Sequence, residues 1–443
     1  MAAWLIRIAW FLAALAPLSA LSAAPAHAGD EPERLRIHGS NTIGQALMPA
    51  LVEDWLRALE YTGIRRVARA PARLEIHAER EGMPLVVEID RHGAGAGFDA
   101  LVQGRAELAM LARRPDRRER EAGWQLGDLA SPDQEFLVAL NGARVVVHRD
   151  SPLRRIDLAQ LRALLAGGAH DGIGSPRVQL GPAAGGLEEF LRERLTGGRP
   201  LRPAALRRHR DLRSAALAVA DDPAALAVVE LGTPLPQGVR ALAVSDGGLA
   251  VAPDTVGIRS QDYPLVWRYH VYGGQMMSAL GRSLALHSIT PRAQRVVRAQ
   301  GLVPMGLAPA AAGADPAALP PAYRDAVDGA ARLPLTLRFN LNSLTTIFES
   351  SSAQELERVA AWLQQPENRG RAVSVVGFAQ ADPHNKLFAM TTSSNRADIV
   401  AAWLIERGIP VRRTRGLGPL RPLAGGDGEW ARLRNERVEL WLL

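Results

Sequence analysis

Residues 35–51 read LRIHGSNTIGQALMPAL. The apolar run at 35–37 has the look of a short strand, whereas Ile43, Leu47, Leu51, Trp55 and Leu59 recur every four residues along one helix face. Between the two stand Gly39, Ser40, Asn41 and Thr42, so the stretch is a strand running into a helix. Small polar side chains there can cap a first turn, whose amides lack intrahelical acceptors. The same hydroxyls and amides can hold an anion, because a helix N-terminus carries unpaired donors and partial positive charge. Taken alone the stretch favours the cap, which is the commoner use. Pro49 predicts a kink in the helix.

Strand-like segments at 35–38, 85–90, 107–111, 135–140, 144–148 and 226–230 alternate with helical stripes, among them Leu158, Leu161, Leu164 and Leu165. This alternation predicts an α/β fold with largely parallel sheets. Residues 306–322, GLAPAAAGADPAALPPA, lack core-forming periodicity and read as a semi-extended spacer. Beyond it lie a strand at 335–339, a helix at 353–365, a strand at 373–378, a helix at 391–408, and strands at 412–417 and 437–442. That is a βαβαββ unit of about a hundred residues, enough for one small domain.

The first residues combine one early cation, Arg7, an apolar run and the small-residue pattern Ala26-His27-Ala28, the layout of a secretory signal peptide cut after Ala28. The expected division is therefore a signal peptide at 1–28, a first domain at 29–305, a linker at 306–330 and a second domain at 331–443. The chain has no cysteine, which excludes disulfides, thiolate metal sites, a thiol nucleophile and a lipid-bearing cysteine. Export then implies the periplasm. Formal net charge is +7 and Lys386 is the only lysine, so the positive charge is almost all arginine. A basic surface favours anionic solutes or wall polymers; export and the scatter of the arginines argue against nucleic acid.

The segments GFAQADPHNKLFAMTTSSNRADIVAAWLIERGI, from Gly377, and GLGPLRPLAGGDGEWARLRNERVELWLL, from Gly416, resemble the OmpA-like peptidoglycan-binding domain over about residues 333–443. The resemblance implies that Arg396 and a loop acid clamp the carboxylate and ammonium of diaminopimelate in a wall stem peptide. A guanidinium suits the carboxylate and an aspartate the ammonium. Asp382 is chosen as the acid because only a carboxylate makes a charged clamp; Gln380 is the alternative, since this loop is one residue longer than usual. Asn435 and Arg437 of the closing Asn-x-Arg-Val-Glu signature would brace the pocket. Ala389, Thr392 and Glu436 depart from the family pattern.

In the first region IHGSNTIGQALMPALVEDW, RHGAGAGFDALVQGRAELAMLARRP, VVVHRDSPLRRIDLAQLRALLAGG, VADDPAALAVVEL and YPLVWRYHVY resemble, in order, segments of the PstS-like phosphate-binding proteins. This implies a two-lobed periplasmic-binding-protein fold (type 2-like) over roughly 33–305, closing on an oxyanion. Phosphate is the first candidate, and an ABC transporter permease is an implied partner. The implied contacts are Ser40, Asn41, Thr42, the backbone nest at Gly93, Ala94 and Gly95, and Arg113. The second-lobe loop LGPAAGGLEEF, from Leu180, lacks the family's arginine and hydroxyls, and no carboxylate is evident near Arg113 and Arg114.

The expected function is a non-catalytic binding protein capturing an oxyanion at the peptidoglycan, on the outer-membrane side of the envelope. The alternative is a wall-bound scaffold or sensor whose lobes have lost phosphate. An enzyme with Ser40 as nucleophile is disfavoured, because GSNTIG lacks the Gly-x-Ser-x-Gly elbow. None of the 10 histidines has metal-ligand spacing, and no cofactor or metal is expected.

Overall fold

The computed structural model describes residues 32–168, 176–183, 185–307, 319–340, 347–385 and 387–443. The expected signal peptide and residues 308–318 of the expected linker lie outside the described residues. Among the described residues no helix is long and apolar enough to cross a membrane.

The first region is built on one mixed sheet, in the order β2 (Thr62–Ala70), β3 (Arg73–Arg80), β4 (Met83–Asp90), β1 (Glu33–Gly39), β5 (Leu108–Leu111), β13 (Val266–Gly273), β6 (Glu135–His148), β10 (Ala225–Glu230), β8 (Arg177–Leu180) and β9 (Leu206–Arg208). Strands β11 (Val239–Ala241) and β14 (Val303–Pro304) also pair with β6, and β7 (Arg155–Asp157) pairs with β12 (Ala243–Ser245) in a separate sheet. β1 lies parallel to both β4 and β5, and its Leu35 and Ile37 are wholly buried. Arg34 and Arg36 beside them are exposed, so burial alternates along this part of the strand and only one face is packed.

β6 was expected as two strands, at 135–140 and 144–148. It is one strand, its first half paired with β13 and its second with β10. The chain stays extended through the polar pair because Asn141 Oδ1 accepts the Gly142 amide at 2.8 Å. A Cβ at Gly142 would come within 2.6 Å of the Leu265 carbonyl oxygen, so only glycine passes there. β6 thus joins a first lobe, carrying β1–β5, β13 and the first half of β6, to a second, carrying its second half with β8–β11. The β2–β3 hairpin was not expected, because β2 is an exposed edge strand rich in arginine with no apolar alternation. At Pro49 the expected kink is replaced by a π-helical turn, Ile43–Leu47, running into the helix Met48–Ala58. Pro49 falls in the first α-helical turn, where its missing N–H is tolerated.

The second region forms a sheet in the order β15 (Ala331–Arg338), β18 (Arg437–Leu442), β16 (Val373–Phe378), β17 (Val411–Gly416), with β16 and β17 parallel. Val438, Leu440 and Leu442 face the helices Ser350–Leu363 and Phe388–Glu406. The other face carries a helix, Pro321–Val327, within the stretch expected to be linker. Pro321 suits a helix start, and Tyr323 packs edge-on against Phe378 and Trp441. A further short helix, Glu429–Asn435, precedes β18.

Candidate functional site

At the end of β1, Gly39 has φ +140°, and a Cβ there would stand 2.1 Å from the Met110 carbonyl oxygen. Glycine is required for this close approach. Ser40 is buried; its amide donates to Met110 O at 2.8 Å, and its hydroxyl oxygen accepts the Ile43 amide at a long 3.5 Å. Gly93 N donates to Gly39 O at 3.0 Å, and a Cβ at Gly97 would lie 2.3 Å from Gly39 Cα. The fold therefore brings the nest at Gly93–Gly95, which opens the helix Ala94–Val102, beside the Gly39–Thr42 turn. Asn41 is exposed and Thr42 half-buried. Thr42 Oγ1 lies 2.8 Å from where a Cβ on Gly186 would stand. Gly186 begins a helix of the second lobe, so the two lobes meet at Thr42.

Arg113 is the fourth element of the cleft, and it is not free. Its guanidinium holds Glu119 through two bonds, Nη1 to Oε2 at 2.6 Å and Nη2 to Oε1 at 2.7 Å. The same carboxylate accepts the Asp116 amide in a capping box. Hydrogen bonding to Arg113 holds the Glu119 carboxyl below the ordinary range despite partial burial. From the second lobe Glu193 is pushed upward by burial and by Glu189, with Arg113 opposing. The expectation of no carboxylate near the arginine pair is thus corrected: Glu119 sits on Arg113. Arg114 turns away to Glu135, at 2.7 Å, and to Glu349 of the C-terminal domain. The signal was in the sequence as Asp116-x-x-Glu119, the spacing of a capping box.

In the second domain Arg396 lies on the helix Phe388–Glu406, with its guanidinium 4.2 Å from the centroid of the Phe339 ring. Its Nη2 reaches Glu436 Oε2 at 3.4 Å, and the other oxygen of that buried carboxylate takes Arg432 at 2.7 Å. Asp382 Oδ1 accepts the amides of His384 and Asn385, at 2.8 and 3.2 Å. Asn435 is saturated: its oxygen accepts the Leu423 and Ala424 amides, and its Nδ2 donates to Ala424 O and Gln380 Oε1. Gln380 also donates to Gly426 O at 2.8 Å, so it is spent on holding loops. Among the described residues Asp382 makes no hydrogen bond beyond its own turn. Asn435 thus reaches the loop that carries Asp382.

Arg437 does not. It is 2% exposed, lies 3.9 Å over the Phe378 ring and pairs with Glu439. Successive strand residues alternate faces, so Arg437 projects to the side of Tyr323 and Trp441, opposite the helix that carries Arg396. Glu436, by contrast, pairs with both Arg396 and Arg432, which its departure from the family pattern did not indicate.

Residues 339–436 match the OmpA family, so the chain carries an OmpA domain at its C-terminal end. One curated relative is "Probable lipoprotein YiaD" of Escherichia coli (strain K12), 34% identical over 112 residues, covering 25% of this chain and 49% of that protein. The chain spans about half the length of that relative. The N-terminal region is structurally similar to phosphate-binding proteins. An ABC-type phosphate transport receptor from Vibrio cholerae is 17% identical with a TM-score of 0.47, over 61% of this chain and 99% of that one. A possible phosphate binding protein from Planctomyces limnophilus is 15% identical with a TM-score of 0.48, over 62% and 93%. PstS from Borrelia burgdorferi is 14% identical with a TM-score of 0.46, over 61% and 98%. The protein thus joins a two-lobed α/β region to a C-terminal OmpA domain.

Proposed function

We propose that this chain is an exported, non-catalytic binding protein of the periplasm, held non-covalently at peptidoglycan by its C-terminal domain while its lobes capture an oxyanion. The OmpA match over residues 339–436 carries the wall-binding half. In this reading Arg396 takes the carboxylate of a diaminopimelate residue, and Asp382 its ammonium. The cost of holding Arg396 beside Glu436 is small, because Glu436 keeps Arg432 when Arg396 leaves. Full-length protein should therefore pellet with purified sacculi, and Arg396→Ala should weaken that binding by roughly 2–5 kcal/mol without unfolding the domain. Arg396→Lys should fail as well, since an ammonium cannot bind a carboxylate bidentately. Wild-type protein left in the supernatant would sink the anchoring; undiminished pelleting of Arg396→Ala would sink the choice of residue.

For the lobes, the convergence of the Gly39–Thr42 turn, the Gly93–Gly95 nest and Arg113 supports an oxyanion, phosphate first, delivered to an ABC transporter permease. Replacing Ser40 and Thr42 together by Ala should weaken phosphate binding by roughly 1–3 kcal/mol in calorimetry. A second reading, a wall-bound scaffold or sensor without phosphate, is favoured by one observation: Arg113 is already neutralised by Glu119. Absence of heat with phosphate, sulfate and organic phosphates alike would select it.

A further inference from the structure

The C-terminal domain touches both lobes, and it does so in two different ways. Toward the first lobe, and toward the segment 255–265 that leads into β13, the contact is made by buried charge. Glu355 takes Arg259 at 2.6 and 2.8 Å. Glu349 takes Arg268 at 2.9 Å and also Arg114. Asp262 takes Arg332 at 2.6 Å and Arg338 at 2.9 Å, while Arg434 donates to the carbonyls of Gln261 and Asp262. Parting one member of such a pair while the other stays buried leaves an uncompensated charge and is strongly unfavourable.

Toward the second lobe the contact is made by backbone pairing of 246–249 with 422–425 and by a few partly exposed polar side chains. The Leu249 amide donates to Pro422 O and the Gly425 amide to Asp246 O, each at 2.8 Å. Trp430 Nε1 donates to Asp246 Oδ2 at 2.9 Å, Arg194 reaches the same oxygen at 3.3 Å, and its guanidinium lies 4.7 Å over the Trp430 ring. Trp430 is 50% exposed. Residues 245–249 belong to the second lobe, since Ser245 and the Gly247 amide both donate to Asp157, the cap of the helix Leu158–Leu165. Arg194 lies in a π-helical turn that continues directly from the helix Gly186–Leu191, whose first residue meets Thr42 across the cleft.

We propose that residues 422–430 are a latch that keeps the second lobe closed against the first. The domain bearing the latch is fixed to the first lobe by buried ion pairs, so the lobes cannot swing apart until the latch lets go of Asp246 and Leu249. Among the described residues the latch holds no buried ion pair, and its partly exposed Arg194–Asp246 pair contributes little, which makes the latch the yielding side. The latch is also tied to the Arg396 region, because Asn435 holds the Leu423 and Ala424 amides. A ligand that moves that loop would bias the lobes.

The absence of cysteine makes the test direct. Met83→Cys on the first lobe and Leu217→Cys on the second, both exposed positions, supply two spin labels on the full chain. Pulsed electron resonance then reads the interlobe distance with no phosphate or peptidoglycan added, so the outcome is independent of the proposed function. The parent should give one narrow distribution. Asp246→Ala with Trp430→Ala should add a second population displaced by more than about 2 Å. Asp246→Asn, nearly isosteric, provides the same readout if the double variant folds poorly. Distributions unchanged in the folded variants would overturn the latch.

Discussion

Replacing Asp262 by asparagine should destabilise the intact chain by about 3–5 kcal/mol, the cost of stripping one partner from a buried ion pair. Asp262 is 2% exposed. One of its oxygens accepts from Arg332 and from the Thr336 hydroxyl at 3.0 Å, and the other from Arg338. Burial alone would raise its pKa, but Arg332, Arg338, Arg437 and Arg434 outweigh that and hold it far below the carboxylate range. Once the side chain is neutral, buried Arg338 loses its carboxylate and keeps the Ser260 carbonyl, and Arg332 keeps Glu439 at 3.3 Å and the Thr336 hydroxyl at 3.1 Å. Denaturant midpoints measure the effect. Glu121→Gln, which removes an exposed partner of Arg117, should change stability by less than about 1 kcal/mol. Equal midpoints for Asp262→Asn and wild type would mean that these charges do not join the domains.

Acid should loosen the same junction in two stages. Burial pushes the His270 imidazole down to about 3, with Glu135 only partly opposing. The folded chain thus keeps His270 neutral, whereas the unfolded chain takes up a proton below about 6.5. Stability is therefore complete above that pH and falls below it, by about 1.4 kcal/mol per pH unit for one proton. Glu135 and Glu355 are buried and Glu349 half-buried, yet their arginine partners hold each below its ordinary value. Their contribution is present above about pH 4.5 and is lost as pH falls further. Thermal midpoints should be level near pH 7, decline from about pH 6.5 and drop steeply below about pH 4.5. His270→Gln should remove the first stage and keep the second. A profile level down to pH 5 would contradict the burial of a neutral His270.

These charges explain why the two domains read as separate in the sequence and yet meet in the structure. The Ala/Pro-rich run at 306–322 marks a break in hydrophobic periodicity, and periodicity is a local property. Nothing local marks Asp262 or Glu355 as the partner of an arginine many residues away. With arginine this abundant, no single one stands out until the fold pairs it. The helix Pro321–Val327 was missed for a related reason: its short turn is recognisable only by what Tyr323 packs against.

The sequence by itself determined the two α/β units, the strand-to-helix turn at Gly39–Thr42 and the order of the OmpA-like elements. Each of these rests on contacts between near neighbours or on glycines whose backbone demands are local. Only the tertiary structure decided that Arg113 is held by Glu119, that Arg396 faces Glu436, and that Arg437 points to the other side of its sheet. It alone decided that the C-terminal domain spans both lobes. Charge pairing acts through space at a few ångströms, and chain separation carries no record of it.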